Sequence, residues 1–153
     1  MLSIGDKAPA FILPGNNGQE LRLSEGTATI VYFYPKDDTP GCTTEAIEFS
    51  AAKDELEKLG VTIIGMSPDT AAKHDKFSTK HDLSIALASD ESKQTLEAYG
   101  VWKEKSMYGK TYMGVERSTF LIGGDGKILE IWRKVRVKGH VAAVIESARQ
   151  HIG

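Results

Sequence analysis

The sequence predicts a mixed α/β fold, a central sheet with helices on its two faces, and three observations carry that expectation. Apolar runs of strand length alternate with segments of helical period along the chain. Two of these runs, TIVYFY at 29–34 and VTIIGM at 61–66, are almost continuously apolar or β-branched, as strands covered on both faces are. Turn chemistry toward each end, GNNG at 15–18 and GGDG at 123–126, marks hairpins, so the sheet is mixed rather than all parallel.

Pro9 to Leu13 and Glu20 to Leu23 flank the first turn and read as a small amino-terminal hairpin. Thr29 to Tyr34 is the central strand, Pro35 ends it, and the loop KDDTPG follows. From Cys42 the period becomes helical, with Cys42, Ala46, Phe49, Ala52, Leu56 and Leu59 recurring at spacings of three and four until Gly60 stops the helix. Val61 to Met66 is a second buried strand, and Thr70 to His81 a polar helix with few apolar contacts. Ile85 to Ala88 and Ser92 to Tyr99 give a further strand and helix. Ser118 to Ile122 and Ile128 to Arg133 are the arms of the second hairpin. The stretch WRKVRVK, Trp132 to Lys138, alternates charge with Val135 and Val137 as an exposed edge strand would. Val141 to Ile152 closes the chain as an amphipathic helix. No linker composition and no repeat interrupts this order, so 1–153 reads as one domain.

With 153 residues, 41% hydrophobic and 26% charged, the chain has a folded composition and room for one core. Nineteen Lys and Arg against 21 Asp and Glu leave a charge of −2, which supplies no basic field for nucleic acid or an anionic membrane. The single cysteine closes no internal disulfide and builds no thiolate cage, which excludes iron–sulfur clusters and structural zinc fingers. The opening MLSIGDKAP has neither the basic start nor the apolar run of a signal peptide, and nowhere do about 18 apolar residues follow one another. The expectation is a soluble cytoplasmic protein.

A lone free cysteine is often a small buried hydrophobe. Cys42 instead falls where a buried strand, a Pro- and Gly-bearing loop and the first turn of a helix meet. Unpaired N–H groups and the helix dipole favour an anion there, and a thiol so placed becomes a nucleophile. Thr39 has two readings, a hydroxyl that meets the sulfur or an oxygen bound to it, and a turn threonine that satisfies its own backbone. Pro35 and Pro40 restrict the loop. Glu45 is a first-turn acid favourable to the dipole. Arg117 shares one side of its strand with Thr119 and Leu121 and is either solvated or an anion-stabilising guanidinium beside a thiolate. His74, His81, His140 and His151 form no ligand set and read as solvated surface histidines. Met107, Tyr108, Tyr112 and Met113 either rim the pocket or pack under a loop.

The run YPKDDTPGCTTEA, Tyr34 to Ala46, resembles the active-site loop of the peroxiredoxins, specifically the bacterioferritin-comigratory-protein or peroxiredoxin Q branch of the AhpC/TSA family. It contains that family's P-x-x-x-T-x-x-C pattern as Pro35, Thr39 and Cys42. MYGKTYMGVERSTFLI at 107–122 resembles the branch's second signature and places Arg117 where the active-site arginine belongs; GMSPD at 65–69 and VKGH at 137–140 extend the likeness.

The resemblance implies a thioredoxin-like fold and a thiol-dependent peroxidase that reduces hydrogen peroxide and organic hydroperoxides without a cofactor. By it, Cys42 attacks a peroxide oxygen and becomes a sulfenic acid, Thr39 and Arg117 hold the two oxygens, Pro35 shields the sulfur and Glu45 orients Arg117. Many members of the branch carry a second, resolving cysteine, at places that align here with Ile47 or Ser78, and both lack sulfur. A one-cysteine mechanism is therefore expected, with an external thiol such as thioredoxin, glutaredoxin or glutathione as partner, in a monomer or weak homodimer. Ser78 otherwise reads as a helix-surface serine. The alternative is a non-catalytic redox-responsive binding module switched by oxidation of Cys42.

Overall fold

A computed structural model describes residues 1–152. In chain order its elements are β1 (Ile12–Pro14), a 3-10 turn (Asn16–Gly18), β2 (Glu20–Arg22), β3 (Ala28–Phe33), α1 (Pro40–Lys58), β4 (Val61–Ser67), α2 (Ala71–His81) and β5 (Ala86–Ser89). They continue with α3 (Gln94–Ala98), β6 (Trp102–Met107), β7 (Lys110–Val115), β8 (Ser118–Ile122), β9 (Ile128–Trp132) and α4 (His140–Ile152). β3, β4 and β5 are parallel, β8 runs antiparallel to β3 and β9 to β8, which gives one mixed sheet in the order β5-β4-β3-β8-β9. The expected mixed α/β architecture is present.

Every residue of β3 is buried, because the strand lies in mid-sheet with a core on each face. Alternate side chains divide between the cores. Ile30 and Tyr32, with Tyr34 beyond the strand end, pack with Ala46, Phe49 and Leu56 of α1 and Val144 of α4. Val31 and Phe33 face the other way, toward Leu96 of α3, Tyr99 and Phe120.

Both expected hairpins form, β1 with β2 and β8 with β9. Two expectations fail. The segment 102–115, not anticipated as sheet, is a separate antiparallel hairpin of β6 and β7. Most of its residues are exposed, Met107, Tyr108, Tyr112 and Met113 among them, so these four do not pack under a loop. The expected strand through Trp132 to Lys138 ends at Trp132. Lys134 takes a φ of 49°, outside extended geometry, and Val135 N–H turns to the Arg117 carbonyl at 2.9 Å.

Helix α1 starts two residues before Cys42. Thr39 holds the extended N-cap conformation, and Pro40 at the first helical position loses no hydrogen bond there. At the other end Gly60 takes a φ of 79°, the left-handed geometry that stops a helix.

Tyr32 stacks between Phe49, with centroids 4.5 Å apart, and Tyr34, at 5.5 Å. The stack closes because Gly65, its partner across the β3–β4 ladder, has no side chain: a Cβ there would stand 2.7 Å from the Tyr32 ring. With aromatic neighbours on either side the ring has little room to withdraw. Gly65→Ala is expected to destabilise the fold by about 1–3 kcal/mol, the usual cost of overpacking. Denaturant titration of the two proteins checks this, and equal midpoints would show that the stack yields.

Candidate active site

The register of β8 on β3 sets Ser118 opposite Phe33, so Arg117 stands where the chain leaves the sheet for the loop to Cys42. Its backbone is held by the Val135 N–H on its carbonyl, and the neighbouring Glu116 N–H donates to the Val101 carbonyl at 2.8 Å. From this anchor the guanidinium makes two contacts. Nη1 donates to Glu45 Oε1 at 2.7 Å, and Nη2 points at Cys42 Sγ at 3.3 Å. Gly41 permits the approach, since a Cβ on it would lie 3.2 Å from Nη2.

Cys42 and Glu45 share the buried face of α1, and Cys42 is 1% exposed. The sulfur's surroundings are not purely apolar, because the guanidinium reaches it. In the first turn of α1 the N–H groups of Gly41 and Cys42 have no intrahelical acceptor, whereas Thr43 N–H already bonds the Thr39 carbonyl at 2.8 Å. Beside the helix start lies an open depression lined by Pro40, Gly41, Thr44, Val137 and Gly139.

The Thr39 hydroxyl donates to the Lys36 carbonyl at 2.9 Å, the second of its two sequence readings, and its lone pairs remain available. Pro35 is half-buried at the bend after β3. Ile47 is exposed. Ser78 is buried rather than on the helix surface, its hydroxyl donating to the Leu83 carbonyl at 3.2 Å.

Two of the four histidines depart from the solvated expectation. His74 is fully buried, between Asp37 and the Ala88 carbonyl. His140 is buried against Trp132 and Phe49, with Nε2 2.7 Å from the Thr119 hydroxyl. Burial, then the nearby Arg117, pushes the His140 ring down to about 4, so it stays neutral under the guanidinium. A helix places residues three and four apart on one face, but nothing in the spacing of His74, Phe77, Ser78 and His81 says which face meets the loop.

Burial opposes the charge on Arg117, but Glu45 and the Cys42 sulfur outweigh it and raise the guanidinium above its ordinary value. For Glu45 burial wins: the carboxyl is pushed up to about 7 although Arg117 pulls the other way. Its second oxygen, Oε2, is buried and has no hydrogen-bond partner among the described residues. The site therefore holds a sulfur, a cation and a carboxyl in one line of contact, with two free N–H groups at the helix start. This arrangement suits a sulfur anion and charge developing on an oxygen bound to it.

The comparisons with known proteins agree with this chemistry. Residues 4–131 match the AhpC/TSA family model. The chain is 47% identical over 150 residues to peroxiredoxin Bcp of Bacillus subtilis, covering 97% of this chain and 96% of that protein. It is 42% identical over 152 residues to peroxiredoxin Bcp of Escherichia coli K12, covering 98% and 97%. Among solved structures, peroxiredoxin Q of Xanthomonas campestris superposes with a TM-score of 0.89 at 41% identity, over 94% of this chain and 92% of that one. A further structure from X. campestris is described in terms of the alkyl peroxide reduction activity of its bacterioferritin comigratory protein. A cysteine-to-serine mutant of Xylella fastidiosa PrxQ gives a TM-score of 0.94 at 36% identity, over 100% and 99%. Fold and site thus define a thioredoxin-fold peroxiredoxin, a thiol-dependent peroxidase. The chain belongs to the AhpC/TSA family, in its bacterioferritin-comigratory-protein or peroxiredoxin Q branch.

The raised Glu45 value has a definite sign. A carboxyl at about 7 when folded, against 4.5 ordinarily, keeps its proton in the folded state longer than in the unfolded one. Its effect on stability is nil below 4.5, grows unfavourable as pH rises to about 7, and is constant above. Wild type is therefore expected to lose stability relative to Glu45→Gln across that interval, as denaturation at a series of pH values would show. Parallel stability curves for the two proteins would contradict the assignment.

Proposed function

We propose that this protein reduces hydrogen peroxide and organic hydroperoxides through Cys42 alone and is recycled by an external thiol. The observation that carries the reading is the 3.3 Å approach of the Arg117 guanidinium to the Cys42 sulfur at the open start of α1. The Cys42 thiolate attacks one peroxide oxygen, an S–O bond forms as the O–O bond breaks, and the departing oxygen leaves as water or an alcohol once protonated. Two electrons pass from sulfur to peroxide, leaving a sulfenic acid. Arg117 and the N–H groups of Gly41 and Cys42 stabilise the charge that moves onto the departing oxygen, while the Thr39 hydroxyl, its own proton on the Lys36 carbonyl, accepts a hydrogen bond from the hydroperoxide O–H. Glu45 holds Arg117 in register, and Pro35 limits water at the sulfur.

Cys42 is the single cysteine of the chain, and Ser78 and Ile47 stand at the two aligned resolving places. One reductant thiol displaces the sulfenic oxygen as water and forms a mixed disulfide. A second thiol then releases Cys42 and leaves with the first as a disulfide. Thioredoxin, glutaredoxin or glutathione has the required chemistry. A reducing compartment, the cytoplasm, keeps such a thiol available. We assign the whole chain to one domain, acting as a monomer or weak homodimer.

Mixing the reduced protein with one equivalent of hydrogen peroxide is expected to consume one thiol per chain within a stopped-flow trace and to add a single oxygen to the intact mass. Excess thioredoxin or glutathione then restores the thiol, and Cys42→Ser turns over no peroxide. Oxidation no faster than that of free cysteine would overturn the peroxidase reading and favour the redox-responsive module. Failure of every added thiol to restore Cys42 would overturn the one-cysteine cycle.

A further inference from the structure

The loop that delivers Cys42 is gripped from behind by two adjacent acids. Asp37 Oδ2 lies 2.6 Å from His74 Nδ1 on α2, and Asp37 Oδ1 accepts from the Tyr34 hydroxyl at 2.6 Å. The other ring nitrogen of His74, Nε2, is 2.9 Å from the Ala88 carbonyl of β5; a carbonyl only accepts, so Nε2 carries a proton. The pair is out of water, with side-chain exposures of 0% for His74 and 6% for Asp37. The Asp37 backbone is pinned as well, its N–H donating to Asp69 Oδ2 at 2.8 Å, and that oxygen also receives the Ser67 hydroxyl at 2.7 Å. The next residue, Asp38, takes the left-handed φ of 61° that a side chain disfavours, and its carboxylate meets Lys80 at 2.7 Å and His81 at 2.8 Å, again on α2. A strained turn held by two carboxylate anchors, one residue before Thr39, has the form of a geometric constraint on the site rather than of surface decoration.

We propose that Asp37 and His74 are positioning residues, a buried pair that ties the loop bearing Thr39, Pro40 and Cys42 to α2 and β5 and so fixes where the sulfur meets its substrate. In this arrangement His74 acts as a two-ended spacer, one nitrogen on the sheet and the other on the loop. The proposal rests on the peroxidase reading for its consequence in catalysis, but its geometry is tested without peroxide.

Asparagine and glutamine separate the two ends. An asparagine amide occupies roughly the place of Nδ1 and keeps the bond to Asp37, whereas a glutamine amide reaches the place of Nε2 and keeps the bond to Ala88. Two rates are compared in full-length proteins shown by circular dichroism to be folded: single-turnover oxidation of Cys42 by hydrogen peroxide, and alkylation of Cys42 by iodoacetamide. His74→Gln is expected to slow oxidation about tenfold or more, since small misplacements of a reacting group are costly, and to speed alkylation several-fold as the loop loosens over the buried sulfur. His74→Asn stays within about threefold of wild type in both rates, because the loop-side bond survives. Should His74→Gln not fold, Asp37→Ala on the loop removes the same bond and is expected to give the same two changes. Equal effects of glutamine and asparagine, or no change in either rate with glutamine or with Asp37→Ala, would overturn the proposal. If wild type itself failed to react with peroxide, the peroxidase reading would fall, while alkylation would still decide whether the pair holds the loop.

Discussion

One guanidinium, shared between a sulfur and a buried carboxyl, is the interaction on which the rest of the site depends. Arg117 reaches Cys42 and Glu45 together, and neither is accessible enough for water to take its place. A buried charge that loses its partner costs about 3–5 kcal/mol, so the three groups stand or fall as a unit. Glu45 already leaves one oxygen unpartnered, and breaking its bond to Arg117 would orphan the other. The fold accepts this cost where the guanidinium meets the sulfur.

Most of the architecture serves to bring those groups together. Cys42 and Glu45 lie on one buried helical face of α1, whereas Arg117 arrives from the far side of the sequence and meets them through the pairing of β8 with β3. Pro40 lets the helix begin early enough that Cys42 falls in the turn with unsatisfied N–H groups. Gly41 leaves room for the guanidinium, and Gly65 leaves room for the aromatic stack that supports α1. His140 lies near the same cation and stays neutral, so it adds no competing charge.

What could be read beforehand followed from patterns that are complete within a short segment. β3, β4 and α1 were legible because a doubly buried strand and a one-sided helix each leave an unmistakable period. Cys42 and Arg117 were legible through motif and position, and the structure brings them into contact. The hairpin of β6 and β7 was not, since KEKSM and KTYMG present no apolar face against the core. In WRKVRVK the alternation is real, but a left-handed residue at Lys134 and the bond from Val135 to Arg117 bend the chain out of the sheet. The burial of His74, Ser78 and His140 is decided by which distant segment covers them, and no spacing within α2 or α4 encodes that. For Thr39 the residues allowed both a sulfur contact and a backbone contact, and the loop geometry selects the Lys36 carbonyl.

On the proposed peroxidase reading, the guanidinium, and not burial alone, is expected to make Cys42 reactive. The most direct test is the second-order rate of Cys42 oxidation by hydrogen peroxide in Arg117→Gln, measured in a single turnover on protein shown to be folded. A loss of about a hundredfold, the scale of removing one preorganised donor from a developing anion, is the predicted result. A rate within about twofold of wild type would mean that the sulfur owes its chemistry to something other than the shared guanidinium.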